Sequence, residues 1–358
     1  MAVPLFDTST PLAPLRTEIE AAIAKVLAGG RYILGPEVAA FEREFAGYCG
    51  AAHAIGVANG TEALTIALRA LGVGPGDEVI VPSFTFYASA EAIPPTGATP
   101  VFCDVDPDTA CVTAETVRAA ITPRTKAVIA VHLFGNVAPV AEIEALGVPV
   151  LEDAAQAAGT ISDGGRPGAL GTVATFSFFP SKNLGGFGDG GAITTSDDEI
   201  AERVRMLRFH GSRDKVTFEA VGYNSRLDEL QAAILRVMLP HLDGWADGRR
   251  AAAAHYAAAG IDAVAAPLVA TPGSGPAWHL YVARHADADA LIARANERGV
   301  ESRSYYRTPA HRQPAMASYA AGVTLPATDE LAATHFALPI NPLFNAEQAI
   351  EVVAALRS

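Results

Sequence analysis

Five short apolar runs, at residues 54–58, 78–82, 100–103, 126–131 and 148–152, are separated by stretches whose apolar residues recur at helical spacing. Such runs offer no polar face to water, so they belong inside a sheet covered on both sides. Helices between successive strands supply that cover and join parallel neighbours. Two further runs, 172–178 and 191–195, extend the pattern. The sequence therefore predicts an α/β fold with a mostly parallel sheet of the seven-stranded type and helices on both faces. Before it, Thr17 and Glu20 suit a capping box for a helix that runs through Leu27 and stops at Gly29-Gly30. After it, a helical stretch from Leu227 to Ala259 is broken at Pro240, which ends or kinks a helix. Pro267, Pro272, Gly273, Gly275 and Pro276 mark a loop before a strand at Trp278–Ala283, and helices are expected near 287–298 and 346–356. Residues 1–240 thus read as an N-terminal arm with a large α/β domain, and 241–358 as a smaller α+β domain.

Half of the 358 residues are hydrophobic, as a twice-covered sheet requires, and the net charge of −13 argues against nucleic acid or an anionic membrane as partner. The three cysteines, Cys49, Cys103 and Cys111, form neither a disulfide framework nor a metal-ligand spacing. Nine histidines include no i, i+4 pair, so no zinc site is expected. Asp104-Val105-Asp106-Pro107-Asp108 lacks the spacing of a calcium loop and reads as a turn. Met1-Ala2-Val3-Pro4-Leu5 does not resemble a secretory signal, and no apolar stretch has membrane-spanning length. A cytoplasmic protein is the expectation.

The candidate chemistry centres on Lys182, in Phe176-Ser177-Phe178-Phe179-Pro180-Ser181-Lys182-Asn183, at the head of a loop carrying Gly185, Gly186, Gly188, Gly190 and Gly191. A lysine near an apolar strand end is costly unless neutralised, paired or used covalently. The glycines let a backbone or a flat ligand approach closely. A Schiff base to pyridoxal 5'-phosphate satisfies these conditions together; a surface lysine in a flexible loop is the plainer reading.

Three segments upstream favour the cofactor. Asp153 ends the apolar run Val148-Pro149-Val150-Leu151-Glu152, where ligands sit in open α/β sheets, and a buried carboxylate keeps a pyridine nitrogen protonated. Gln156 is placed to reach the ring oxygen or to stack near the ring; an N-cap is the simpler role for Asp153. Gly60-Thr61 opens a helical pattern (Leu64, Ala67, Leu68, Leu71), a ready phosphate site at a helix N-terminus. Phe84-Thr85-Phe86-Tyr87, at another strand end, offers an aromatic to cover a ring, although aromatics there more often serve the core. Further along, Arg303, Tyr305, Tyr306, Arg307, His311 and Arg312 read either as a clamp for a diphosphate and its nucleoside or as an exposed loop. His210-Gly211 reads as a helix terminus closed by glycine.

Taken in order, these segments resemble the DegT/DnrJ/EryC1/StrS family of sugar aminotransferases, fold-type-I pyridoxal-phosphate enzymes. The likeness runs from Gly30-Arg31-Tyr32-Ile33-Leu34-Gly35-Pro36 through Asn59-Gly60-Thr61-Glu62, Glu152-Asp153-Ala154-Ala155-Gln156 and Lys182. It continues to Gly222-Tyr223-Asn224-Ser225-Arg226-Leu227-Asp228-Glu229 and Leu338-Pro339-Ile340-Asn341-Pro342. It implies Lys182 as the Schiff-base lysine and Asp153 as partner of the pyridine nitrogen. It also implies Gln156 at the ring oxygen, Phe86 on the ring face, and Gly60, Thr61 and Ser177 at the phosphate. Asn224 would arrive from the neighbouring subunit of a homodimer with shared sites. Tyr306, His311, Arg303 and Arg312 are the candidate substrate residues.

The implied reaction moves an amino group from L-glutamate to a keto sugar on dTDP or UDP. The glycine loop, and Phe179 where many relatives have His, are similar to relatives that aminate C3. Amination at C4, a cyclitol substrate, or a pyridoxal-phosphate-binding regulator are the alternatives. A related dehydratase has His in place of the lysine, so Lys182 weighs against it.

Overall fold

The computed structural model describes residues 3–357. Helices α1 (Arg16–Gly29) and α2 (Pro36–Cys49) come first. Strand and helix then alternate: β1 (His53–Val57), α3 (Gly60–Ala70), β2 (Glu78–Pro82), α4 (Ala88–Glu91), β3 (Thr99–Cys103), α5 (Ala114–Ala120), β4 (Thr125–Val131), α6 (Val140–Glu144) and β5 (Val150–Asp153). A short β6 (Ile161–Ser162) precedes β7 (Val173–Ser177), β8 (Gly191–Thr195) and α7 (Asp198–Leu207). The seven long strands form one sheet in the order β1-β8-β7-β5-β4-β2-β3, and only β8 runs against its neighbours.

Apolar clusters cover both faces. Along β7, Val173 joins the cluster of Ile66, Ile80 and Phe134, whereas Ala174 and Phe176 join the cluster of Phe41, Phe45 and Leu235. That alternation is the two-residue period of a strand buried on both sides. Phe45 meets Phe176 and Phe178 edge-on, with ring centroids 4.9 and 5.4 Å away, and so packs α2 against the strand leading to Lys182.

The helical stretch around Pro240 divides into α8 (Glu229–Met238) and α9 (Leu242–Ala258), joined by a 3-10 turn at Leu239–His241. Beyond it, β9 (Ala266–Pro267), β11 (Tyr281–Arg284) and β12 (His335–Leu338) form a second, antiparallel sheet, while β10 (Ser274–Gly275) pairs with β6. Helices α10 (Ala288–Glu297), α11 (Pro326–Thr334) and α12 (Ala346–Leu356) complete the chain. A third apolar cluster gathers around this sheet, with Tyr256 of α9 stacked on Tyr281 at 4.4 Å.

Three local expectations change. Thr17 does not cap α1: Pro14 sits in a 3-10 turn that starts the helix early, so Thr17 lies inside it and Glu20 pairs with Arg16. The strand expected at Trp278–Ala283 begins only at Tyr281, because Trp278 takes a left-handed conformation with φ 37°. The run expected at 148–152 pairs as Val150–Asp153, which makes Asp153 the last residue of its strand. Gly30 does end α1 with φ 64°, and the N–H of Gly211 bonds the Met206 carbonyl of α7.

The acidic run after β3 does two jobs. Asp106 accepts the N–H groups of Asp108 and Thr109 in a turn. Asp104 accepts those of Ala327 and Thr328 and so caps α11 from the other end of the sequence. Among the described residues there is no cluster of three or more candidate metal ligands, and no helix is long and apolar enough to cross a membrane.

Candidate active site

The C-terminal ends of β2, β5 and β7 bring the sequence candidates together. Asp153 is buried at the end of β5. Its Oδ2 accepts from the Ser89 hydroxyl at 2.7 Å and its Oδ1 from the Ala155 N–H at 3.2 Å. The Ser89 hydroxyl in turn lies 3.0 Å from that of Thr85. Each carboxylate oxygen keeps lone-pair capacity for an incoming donor.

Glu152, one residue earlier, points to the opposite face, as strand pleating demands. It is fully buried, 2.8 Å from His132 Nε2, and accepts from the N–H groups of Gly168, Leu170 and Gly171 at 2.9–3.0 Å. His132 Nδ1 accepts the Ala138 N–H, so Nε2 carries the proton and donates to Glu152. The end of β5 is thus clamped from behind while Asp153 faces the site.

Lys182 follows a tight turn in which its own N–H bonds the Phe179 carbonyl at 2.8 Å. Gly185 is required there: a Cβ would stand 2.5 Å from the Pro180 carbonyl oxygen. Burial lowers the ammonium from 10.5 to about 8, while the Asp153 carboxylate pulls it upward. Desolvation winning over a nearby carboxylate leaves an amine with a usable neutral fraction near neutral pH.

The phosphate candidates also converge. The Asn59 side chain caps α3 by accepting the Glu62 N–H at 2.8 Å, and the earlier N–H groups of Gly60 and Thr61 have no carbonyl within the helix. A Cβ on Gly60 would come 2.8 Å from Ser177 Cβ, so the helix start and the end of β7 meet only because residue 60 is glycine. Phe86 follows β2 with 56% of the residue exposed, free to cover a planar ligand. The Gln156 amide is occupied at both ends: Oε1 accepts the Phe134 N–H at 2.7 Å, and Nε2 donates to the Tyr306 hydroxyl at 2.9 Å. Contact with a cofactor ring would fall to its second Nε2 proton.

The polar segment after residue 300 is drawn together less. Tyr306 reaches the site through Gln156, stacks on Phe134 at 5.8 Å and is kept protonated by burial. His311 is buried against Ser83, Nδ1 to Oγ 2.6 Å, and burial lowers its pKa. Arg303, Arg307 and Arg312 are paired with Glu301, Asp289 and Asp329. Asn224 is exposed, and its Oδ1 accepts from Arg226. Its neighbour Ser225 is buried and accepts the Ala58 N–H at 3.1 Å, a role within its own domain that the sequence did not suggest.

Sequence reasoning missed Ser89, Glu152 with His132, His279 and Arg249. Ser89 lies two residues beyond the aromatic segment 84–87, and Arg249 interrupts the apolar stripe Leu242, Ala246, Ala252, Tyr256. The hydrogen-bond partners of Ser89 and Glu152 come from other parts of the chain, and those of His279 and Arg249 are incomplete among the described residues, which no local pattern records.

Residues 14–357 match the model of the DegT/DnrJ/EryC1/StrS aminotransferase family. The chain is 47% identical to dTDP-3-amino-3,4,6-trideoxy-alpha-D-glucose transaminase of Streptomyces venezuelae, over 99% of this chain and 95% of that protein. It is 44% identical to UDP-N-acetyl-3-dehydro-alpha-D-glucosamine 3-aminotransferase of Acidithiobacillus ferrooxidans, over 99% and 97%. A crystal structure of S. venezuelae DesV in complex with a ketimine intermediate superposes with a TM-score of 0.96 at 46% identity, covering 99% of this chain and 98% of that one.

Proposed function

Since the chain belongs to the DegT/DnrJ/EryC1/StrS family and is a pyridoxal-phosphate-dependent aminotransferase, we propose that it moves an amino group from L-glutamate to the C3 carbonyl of a keto sugar carried on dTDP or UDP. The observation that carries the reading is one amine, Lys182, lowered to about 8 beside the fixed carboxylate of Asp153. Amination at C3 is supported by two relatives whose names specify that carbon and which differ in their nucleotide.

The residues present fit the cofactor. Lys182 would hold it as a Schiff base, with Asp153 on the pyridine nitrogen. Gly60, Thr61 and Ser177 would bind its phosphate, Phe86 would cover one ring face, and Gln156 would reach the ring oxygen. When bound, pyridoxal phosphate supplies an electron sink. Asp153, held in place by the Ser89 hydroxyl, would keep the ring nitrogen protonated. Lys182 Nζ would serve as the base that takes the proton from the donor's α-carbon. In the second half, the same amine returns a proton to C3 of the sugar. Tyr306, His311, Arg303 and Arg312 are the sugar-nucleotide candidates.

The active unit in this reading is a cytoplasmic homodimer in which the partner subunit's Asn224 completes the phosphate site. Exposed apolar side chains at Tyr32, Ile33, Phe179 and Phe187 support a buried interface between copies. L-Glutamate should shift the absorbance of the loaded protein by aminating the cofactor, and the original band should return on adding a 3-keto sugar nucleotide, which takes the nitrogen. A spectrum indifferent to every amino donor contradicts the reading, and a return only with 4-keto sugars moves the reaction to C4.

A further inference from the structure

A cavity of about 270 Å³ opens beside Lys182. Its walls include Phe6 and Asp7 of the N-terminal segment, Lys182 and Asn183 of the lysine loop, and Trp245 and Arg249 of α9. Asp153, Ser89, Gln156 and Phe86 take no part in it. The volume lies just below the usual range of ligand sites, about 300–1,000 Å³, which suits an amino acid and not a nucleotide sugar.

Arg249 is the unusual member of this wall. Its side chain is buried, with 7% of the residue exposed. Nη1 donates to the carbonyls of Trp278, His279 and Ile340 at 3.1, 3.4 and 3.3 Å. Among the described residues Nε and Nη2 make no hydrogen bond, and no carboxylate pairs with the guanidinium. Asp7, the acid in the wall, is engaged by Ser9 and Thr10 in its own turn. Burial lowers Arg249 to about 10, with no carboxylate opposing the shift. A guanidinium in that position is costly without a counter-ion, and carbonyl dipoles on one nitrogen offset only part of the cost.

Among the described residues, two buried neighbours also lack a partner, Nδ1 of His279 and Oδ1 of Asn183. Burial, then the cations Lys182 and Arg249, keep His279 neutral. Arg249 therefore shares the cavity wall with Lys182 and Asn183, and His279 lies within electrostatic reach of both cations.

We infer that Arg249 binds the carboxylate of the amino donor, and that this cavity, not the Arg303–Arg312 segment, is where a small dicarboxylic amino acid is recognised. The inference rests on the aminotransferase reading above. The free Nε and Nη2 offer the two parallel N–H groups that a carboxylate takes in bidentate fashion, a geometry lysine cannot reproduce.

Arg249→Gln removes the charge and keeps a donor for the carbonyls. The loaded enzyme is titrated with L-glutamate by absorbance, and by calorimetry with glutarate, which has the carboxylates but no amine. Both should bind roughly 10- to 150-fold more weakly, the scale of a lost charge-assisted contact. Cofactor affinity and the response to methylamine, which has no carboxylate, should not change. Arg249→Lys should fall between. Parental affinity for both ligands in Arg249→Gln, or a parent that does not bind glutarate, overturns the inference. An absorbance band that ignores all amino donors overturns the aminotransferase reading instead, and the glutarate titration still decides the role of Arg249. Should Arg249→Gln not fold, phenylglyoxal labelling of the parent takes its place: glutarate should shield Arg249, and an unshielded Arg249 overturns the inference.

Discussion

Asp153 and Arg249 both serve the neighbourhood of Lys182, and they are held in contrasting ways. Asp153 is fixed by donors on each oxygen, and the strand beneath it is anchored by Glu152, His132 and three backbone N–H groups. Arg249 is anchored through one nitrogen, and among the described residues its others are unpaired. A network with its bonds made is rigid and sets position, whereas a buried group with bonds unmade is stabilised by whatever ligand completes it. The first arrangement suits a cofactor that stays through every turnover, the second a donor that comes and goes.

The contrast breaks most completely at Lys182. Lys182→Ala should lower turnover below detection in a steady-state assay while the circular dichroism spectrum stays parental, since loop and strand contacts do not depend on the amine. Asp153→Asn keeps shape and a hydrogen bond to Ser89 but loses the charge. Its kcat should fall roughly 10²–10³-fold, the cost of removing one fixed electrostatic stabiliser, and a value within a factor of about two of the parent removes Asp153 from the chemistry.

Glu152→Gln separates positioning from chemistry. It withdraws the charge that His132 and three N–H groups share, so unfolding in urea should show a loss of about 1.5–3 kcal/mol with an unchanged m-value. Activity should fall less than in Asp153→Asn; an unchanged urea midpoint shows that the anchor contributes nothing.

The remaining effect concerns pH. The ammonium of Lys182 in the folded apoprotein titrates near 8, below its ordinary 10.5. Between those values the unfolded chain holds more protons at this site, so its contribution to stability rises with pH across that window. The melting temperature of the parent relative to Lys182→Met should therefore climb from about pH 8 to about pH 10.5, and a flat difference contradicts a desolvated amine.

How much was legible beforehand follows the same division. Strands 78–82 and 191–195 have the bounds their apolar runs suggested, because a run buried on both faces is recorded residue by residue in the sequence. The positions of Asp153, at the end of β5, and of Gly60, opening α3, were legible because each follows such a run. The β11 boundary was missed, because nothing local says that Trp278 turns left-handed, and Thr17 was misread because Pro14 acts earlier. Arg249 and His279 were invisible for a different reason. Their significance lies in lacking a partner, and that is a property of the packed molecule.

The central claim, that Lys182 carries the cofactor, can be read directly. The chain has four lysines, Lys25, Lys126, Lys182 and Lys215, and every one but Lys182 is exposed. Protein loaded with pyridoxal phosphate, reduced with borohydride and digested, should carry one phosphopyridoxyl group, on the peptide containing Lys182. A label spread over the exposed lysines, or none on Lys182, would contradict the account.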